Sequence, residues 1–154
     1  MKNLLMVCMG NICRSPMAKT VMQKMALDAG LSKELQIDSA GTHAQHLGER
    51  PDPRAAAALA RRGYQTGPSR SRRIIAQDFD KFDLILAMDA GNLAEMHRIC
   101  PPQHAAKLKL FLEFSGEVPE SEVPDPYFGN AQGFERVLDL CEAGARGLIK
   151  HYTA

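Results

Sequence analysis

Residues 4–16 read LLMVCMGNICRSP, an apolar run that ends at Cys8, five further residues and then Arg-Ser-Pro. Residues 4–7 have the length and composition of a strand that is buried on both faces. Ser15 followed by Pro16 is typical of a helix start, with a capping residue and then proline at the first helical position. The stretch therefore predicts a strand, a short turn and a helix, with a thiol where the strand ends.

The turn after this strand has the form Cys-x5-Arg-Ser, and five residues can wrap so that their backbone N–H groups make an anion-binding nest at the helix start. Gly10 and Asn11 tolerate the backbone angles of such a turn, and Arg14 can bind two oxygens of a tetrahedral anion. These groups and the Ser15 hydroxyl would stabilise a Cys8 thiolate, which predicts a cysteine nucleophile. The alternative is structural, with Cys8 as a small buried side chain and Arg14 as a solvated helix residue.

The rest of the chain alternates between strand and helix patterns. Three further short strands are predicted at residues 35–38, 83–88 and 108–111, and helices at residues 15–30, 54–62, 89–100 and 134–151. This alternation predicts a single α/β domain over residues 1–154, with a four-stranded parallel sheet and helices on both faces, a Rossmann-like arrangement. Ligands of such sheets bind at the carboxyl ends of the strands where the strand order switches, and Cys8 and Asp89 fall at strand ends.

Composition and charge exclude several classes of function. With 45% hydrophobic and 24% charged residues, the 154-residue chain matches one globular domain. A net charge of +1 and the absence of Trp give no reason to expect nucleic-acid binding. No apolar run approaches the ~20 residues of a membrane span, and residues 2–8 are too short for a secretory signal, so we expect a cytoplasmic protein without membrane insertion. Cys8 and Cys13 lack the CxxC spacing of zinc ligands, and we expect neither a metal nor another cofactor.

The chain resembles the low-molecular-weight protein tyrosine phosphatases of the prokaryotic type over nearly its whole length. The resemblance lies in five segments of matching order and spacing: residues 7–16 (VCMGNICRSP), 38–42 (DSAGT), 51–55 (PDPRA), 82–89 (FDLILAMD) and 123–128 (VPDPYF). It implies the phosphotyrosine phosphatase I fold and hydrolysis of phosphotyrosine and small aryl phosphates through a cysteinyl-phosphate intermediate. It also implies a tyrosine-phosphorylated protein as partner, with a bacterial tyrosine kinase as one candidate.

Three side chains receive catalytic roles from this resemblance: Cys8 as nucleophile, Arg14 as phosphate clamp, and Asp125 as general acid and base. The chemistry supports the role of Asp125, because an alkoxide or phenoxide that leaves phosphorus needs a proton from the side opposite the nucleophile. The same carboxylate can then accept a proton from the attacking water. Taken alone, an aspartate between two prolines is more often a plain turn residue.

The resemblance also assigns supporting residues. Substrate contacts are expected from the loop and from an aromatic pair, namely Met9, Gly10, Asn11, Ile12, Cys13, Ser15, Tyr127 and Phe128. Ser39 and Asn92 match positions that hydrogen-bond near the loop and support Asn11, although a turn residue and a solvated helix residue are equally good interpretations. Cys13 matches a second loop cysteine that can form a reversible disulfide with Cys8, or is a buried inert thiol. Asp89 is explained as a helix N-cap and is left out of the catalytic set.

One wall of the site departs from the resemblance. Gln45 stands where many relatives have an aromatic residue, with His46 nearby, and we expect weaker stacking of a substrate ring on that side. Tyr127 and Phe128 would hold the ring together with Ile12. A phenyl ring can carry its phosphate to a recessed thiolate between such walls, whereas the shorter phosphoserine cannot.

Two other functions stay open on the sequence alone. Arsenate reductase has the same fold and Cys-x5-Arg loop, but it passes oxidation on through two further cysteines near the end of the third strand. Here that strand ends at Asp89, and the next cysteine is Cys100. A non-catalytic phosphocarrier or phosphate-binding module would accept phosphate on Cys8, but it needs no general acid such as Asp125.

Overall fold

Four parallel strands form the centre of the protein, and the computed structural model describes residues 1–43 and 45–153. The strands are β1 (Lys2–Cys8), β2 (Leu35–Gly41), β3 (Leu84–Ala87) and β4 (Leu108–Leu110), in the order β2-β1-β3-β4. At the carboxyl end of the sheet, Val7 pairs with Ala40 on one side and with Ala87 on the other. The predicted four-stranded parallel sheet is confirmed.

Helices cover both faces of this sheet. They are α1 (Arg14–Asp28), α2 (Pro53–Arg61), α3 (Ala76–Lys81), α4 (Ala90–Ile99) and α5 (Ala131–Thr153). Because successive strand residues point to opposite faces, β1 places Leu4 and Met6 in the core beneath α1, α2 and α5, and Leu5 and Val7 in the core beneath α3 and α4. Within the described residues, no helix is both long enough and apolar enough to cross a membrane.

The strand order places the switch point next to β1. The chain moves from β1 outward to β2, then returns past β1 to add β3 and β4 on the other side. Connections therefore leave β1 and β3 toward opposite faces, which opens a crevice at the carboxyl ends of these strands. Cys8 is the last residue of β1, and Asp89 follows β3 by two positions. The fold thus brings the two strand ends identified in the sequence to one crevice.

Several predicted boundaries were wrong. β2 continues to Gly41 because β1 offers backbone partners up to Cys8, which pairs with Gly41. β4 ends at Leu110, and Phe111 begins a 3₁₀ turn. The helix α3 was missed because its six residues are too few to show a helical period. It is fixed by the burial of Phe79 and by Asp78, whose side chain accepts the Ile75 N–H at 2.8 Å.

Candidate active site

Residues 8–14, named here the phosphate loop, are held from outside through their carbonyl groups. Four carbonyls accept hydrogen bonds: Cys8 from the Thr42 N–H at 2.9 Å, Met9 from the His43 N–H at 3.0 Å, Gly10 from the Ser71 hydroxyl at 2.9 Å, and Ile12 from the Asp52 N–H at 2.7 Å. No peptide bond within residues 1–43 and 45–153 is cis, and in a trans peptide the N–H points opposite to the C=O. The N–H groups that follow these carbonyls therefore point into the loop, where they can bind an oxyanion together: those of Met9, Gly10, Asn11 and Cys13.

Asn11 braces the loop from behind. Its φ of 57° lies in the left-handed region, which asparagine adopts at lower cost than most residues. The side-chain amide donates to Ser15 Oγ at 2.7 Å and to Ser39 Oγ at 3.0 Å, and its oxygen accepts the Arg72 N–H at 3.0 Å. Three hydrogen bonds thus hold Asn11 in its unusual conformation, and Ser39 is one of the partners.

Asn92 does not join this network, so its predicted support of Asn11 through a hydrogen bond is wrong. It lies in the first turn of α4 and borders a second cavity, which Met9 and Arg14 also line. Its backbone N–H is taken by Asp89 Oδ1 at 2.7 Å. Its side-chain oxygen is buried and has no partner among the described residues.

The Cys8 thiol lies at the base of the loop, beside Ser15. The Sγ atom is 3.0 Å from Ser15 Oγ, and both residues are buried. The predicted role of Ser15 as helix cap was wrong, because α1 begins at Arg14 and the preceding residue, Cys13, supplies no side-chain cap. The Ser15 hydroxyl is instead engaged by Cys8 and by the Asn11 amide. Since Asn11 donates to this hydroxyl, the hydroxyl proton can point at the Cys8 sulfur at 3.0 Å or at the Ala40 carbonyl at 3.5 Å, and the first arrangement stabilises a thiolate.

Arg14 is buried and oriented, which contradicts the alternative of a solvated helix residue. Only 3% of it is exposed, and its Nη1 donates to Asp89 Oδ2 at 2.6 Å and to the Val123 carbonyl at 3.0 Å. Burial by itself lowers the pKa of Arg14, but the nearby Cys8 and Asp89 more than offset this, so its pKa lies above the ordinary value. Because Nη1 is occupied, the Nε and Nη2 edge of the guanidinium is the one that can bind two oxygens of an anion.

Asp125 faces the phosphate loop from the opposite wall. Its Oδ1 accepts the Tyr127 N–H at 3.0 Å, which is an Asx turn, and its Oδ2 lies 3.7 Å from Arg14 Nη2. The side chain is 40% exposed. The turn interpretation is therefore confirmed, and it is compatible with a functional role, because one carboxylate oxygen fixes the turn and the other stays available at the site.

A cavity of about 130 Å³ opens above the thiol. Its lining consists of Cys8, Met9, Gly10, Ile12, Cys13, Arg14, Gln45, His46, Asp125, Tyr127 and Phe128. Asn11 and Ser15, which the sequence placed among the substrate contacts, lie behind the loop and do not line it. Tyr127 and Phe128 meet edge to face at 4.9 Å between ring centres, and 95% of Phe128 is exposed. An apolar wall and a polar base are therefore combined in one pocket.

Cys13 differs from Cys8 in its surroundings. Burial, and then the Asp52 carboxylate, raise the pKa of Cys13 to about 12. Cys13 is therefore a neutral thiol at physiological pH, and only Cys8 has the hydroxyl contact that suits a thiolate. The two cysteines are both free in this structure.

Asp89, Gln45 and His46 belong to the site, although the sequence did not predict them as catalytic or substrate-binding residues. Asp89 does cap α4, as predicted, but its second oxygen also holds Arg14. Its position directly after a buried strand was the signal that could have identified it. His46 lies against Gly10, where an added Cβ would come within 2.9 Å of the imidazole, and its ring is 5.7 Å from that of Tyr127. Gln45 and His46 thus contribute polar groups to the wall of the cavity.

A thiol within a ring of inward N–H groups, an oriented arginine and a carboxyl group on the opposite wall define a cysteine-dependent phosphatase on an α/β sheet. The family model described as low molecular weight phosphotyrosine protein phosphatase matches residues 3–154, and the chain belongs to that family.

Individual relatives agree in sequence and in fold. The low molecular weight protein-tyrosine-phosphatase of Streptomyces coelicolor is 44% identical over 147 residues, which are 93% of this chain and 88% of the relative. The crystal structure of a protein tyrosine phosphatase from Entamoeba histolytica superposes with a TM-score of 0.96 at 40% identity, over 99% of this chain and 97% of that one. A Drosophila arginine phosphatase superposes with a TM-score of 0.91 at 32% identity, over 100% and 99% of the two chains.

Proposed function

We propose that the protein hydrolyses phosphotyrosine with Cys8 as nucleophile, Arg14 as phosphate clamp and Asp125 as general acid and base. The observation that carries this proposal is the position of Cys8 at the base of a loop whose N–H groups point inward. In the first step, Sγ attacks phosphorus, the bond from phosphorus to the phenolic oxygen breaks, and the proton of Asp125 passes to that oxygen. The products are an unphosphorylated tyrosine side chain and a cysteinyl phosphate.

In the second step, water attacks the cysteinyl phosphate. The Asp125 carboxylate accepts a proton from this water, the phosphorus–sulfur bond breaks, and inorganic phosphate leaves while the sulfur returns to its thiolate form. The inward N–H groups and the free edge of Arg14 bear the charge of the equatorial oxygens in both steps. No residue outside the phosphate loop and Asp125 exchanges a proton in this cycle.

The shape of the cavity supports an aryl phosphate over an alkyl one. Cys8 is 3% exposed and Phe128 is 95% exposed, so the distance from the mouth to the thiol must be spanned by the substrate. A phenyl ring spans it between Ile12 and Tyr127, whereas the side chain of phosphoserine is too short. Arsenate reductase is less well supported, because Cys100 is partly buried against the core on the other face of the sheet from Cys8.

The partner we propose is a tyrosine-phosphorylated protein in the cytoplasm, and a bacterial tyrosine kinase is one candidate. Bacterial relatives carrying the phosphatase name support this class of substrate. Incubation of a tyrosine-autophosphorylated kinase with the wild-type protein tests it, with loss of phosphotyrosine detected by antibody. No release of phosphate from such a kinase would remove this candidate.

The central experiment measures turnover of para-nitrophenyl phosphate with excess chelator by the wild type and by Cys8→Ser. We expect Cys8→Ser to lose turnover and to keep phosphate binding, because serine is not ionised at this site while the N–H nest persists. Retained turnover in the variant would overturn the nucleophile assignment. A panel of phosphotyrosine, phosphoserine and phosphoarginine peptides then decides the substrate class, and faster release from phosphoserine or phosphoarginine would overturn the proposed specificity.

A further inference from the structure

Ser71 is a buried serine that contacts the phosphate loop from outside. Its hydroxyl donates to the Gly10 carbonyl at 2.9 Å, and only 5% of the residue is exposed. The other outside partners of the loop carbonyls, as far as the described residues show, are backbone N–H groups. Among these partners, the Ser71 hydroxyl is therefore the side-chain group that orients a peptide of the loop.

The peptide concerned joins Gly10 to Asn11. Because its carbonyl points outward to Ser71, its N–H points into the nest, where it can bind a phosphate oxygen. Glycine restricts the rotation of this peptide less than any other residue would. Without the hydroxyl, the Gly10 carbonyl is left buried and unpaired, or the peptide rotates to find another partner and takes the Asn11 N–H out of the nest.

The backbone of Ser71 is itself held by hydrogen bonds. The Ser71 N–H donates to the Glu49 carbonyl at 2.8 Å, and the Ser71 carbonyl accepts the Gly48 N–H at 2.9 Å. The next residue, Arg72, accepts the Gly41 N–H at 2.8 Å at the end of β2. Its own N–H holds Asn11 Oδ1 at 3.0 Å. Residues 71 and 72 thus fix the Gly10–Asn11 unit against the sheet.

We propose that Ser71 is a positioning residue for the phosphatase reaction, which orients the Asn11 N–H toward the phosphate; this inference rests on the function proposed above. Loss of a direct oxyanion donor typically costs ~10²–10³-fold in kcat. Ser71→Ala releases the Gly10–Asn11 peptide but keeps the Asn11 N–H itself. We therefore expect a fall in kcat/KM of about tenfold, which is less than the loss of a direct donor. The fall should be equal for phenyl phosphate and para-nitrophenyl phosphate, because a phosphate-oxygen contact does not depend on the leaving group.

The test compares Ser71→Ala with Thr20→Val, a matched control. Thr20 is also buried and donates its hydroxyl to a backbone carbonyl, that of Pro16 at 2.7 Å, but it does not touch the phosphate loop. Both variants should lose similar thermal stability. Only Ser71→Ala should lose kcat/KM and bind inorganic phosphate more weakly by calorimetry, and Ser71→Thr, which keeps the hydroxyl, should bind phosphate more tightly than Ser71→Ala.

Activity and phosphate affinity of Ser71→Ala within twofold of those of Thr20→Val would overturn the inference. Calorimetry also separates this failure from failure of the proposed function. A wild type without Cys8-dependent turnover overturns the proposed function, whereas the phosphate affinities of the two variants still decide whether Ser71 orients the nest.

Discussion

The Asp89 carboxylate lies between two elements, with Oδ2 2.6 Å from Arg14 Nη1 and Oδ1 2.7 Å from the backbone nitrogen of Asn92. The second contact is the N-cap of α4. One side chain therefore joins the start of α4 to the guanidinium that is expected to bind phosphate. Because both oxygens are used, the orientation of Arg14 and the start of α4 depend on the same carboxylate.

Asp89→Asn separates the two contacts. Asparagine caps helices about as well as aspartate, so the N-cap of α4 should be kept. The charge-assisted bond to Arg14 is lost, and such bonds are worth ~1.5–3 kcal/mol, so kcat/KM should fall roughly 10- to 100-fold. Steady-state kinetics and a urea titration measure the two effects. Unchanged kcat/KM would show that Asp89 does not orient Arg14 for the reaction.

Arg14→Lys tests the need for a planar pair of donors. A lysine retains the positive charge, but its ammonium cannot bind two phosphate oxygens through parallel N–H groups. It also cannot replace Nη1 at Asp89 and Val123 while it binds the phosphate. We therefore expect a loss of kcat/KM of at least 100-fold. Near-normal kcat/KM would mean that Arg14 does not clamp the phosphate.

Asp125→Asn tests proton donation through the leaving group. Phenol has a pKa of about 10, like tyrosine, and must be protonated as it leaves, whereas para-nitrophenol leaves readily as the anion. We expect kcat/KM for phenyl phosphate to fall ~10²–10⁴-fold and that for para-nitrophenyl phosphate to fall far less. Equal losses with both substrates would mean that Asp125 has only a structural role, in the turn where its Oδ1 accepts the Tyr127 N–H.

Cys13→Ser tests the predicted disulfide of the phosphate loop. After a pulse of peroxide, the wild type should recover with added thiol, because Cys13 traps the oxidised Cys8 before irreversible acids form. The variant should be active but should not recover. Since the pKa of Cys13 is raised to about 12, its thiolate fraction rises about tenfold per pH unit below that value, and disulfide formation should accelerate with pH accordingly. Equal recovery of both proteins would contradict the disulfide.

Asp52→Asn tests an ion pair beside the phosphate loop. Hydrogen bonds from Arg54 hold the pKa of Asp52 below its ordinary value, despite the opposing effect of burial. The stabilisation is therefore present above the unfolded pKa of about 4 and is lost as the pH falls through the folded pKa. Because the Arg54 side chain is exposed to solvent, which weakens the ion pair, we expect the variant to be only slightly less stable at pH 7. Urea titrations at pH 7 and pH 3 should show this difference closing in acid; a constant difference would contradict the ion pair.

Much of the fold follows from local patterns in the sequence. The apolar runs that became β1 and β3 are buried on both faces, and only a parallel sheet with helices on each side buries them in that way. The ends of β2 and β4 were less predictable, because a strand ends where its neighbour stops offering hydrogen bonds. The short α3 depends on Phe79 entering a core built by distant residues.

The site was likewise only partly predictable from the sequence. The sequence by itself determined the thiol, the turn and the arginine, because Cys8 and Arg14 lie on one loop whose geometry is local. Only the tertiary structure decided what holds that loop. Asp89 and Ser71 contact the loop from 75 and 61 positions away along the chain. Contacts at such separations leave no periodic or spacing signal, since they depend on how the strands pair and on which backbone carbonyl the packed loop leaves without a partner.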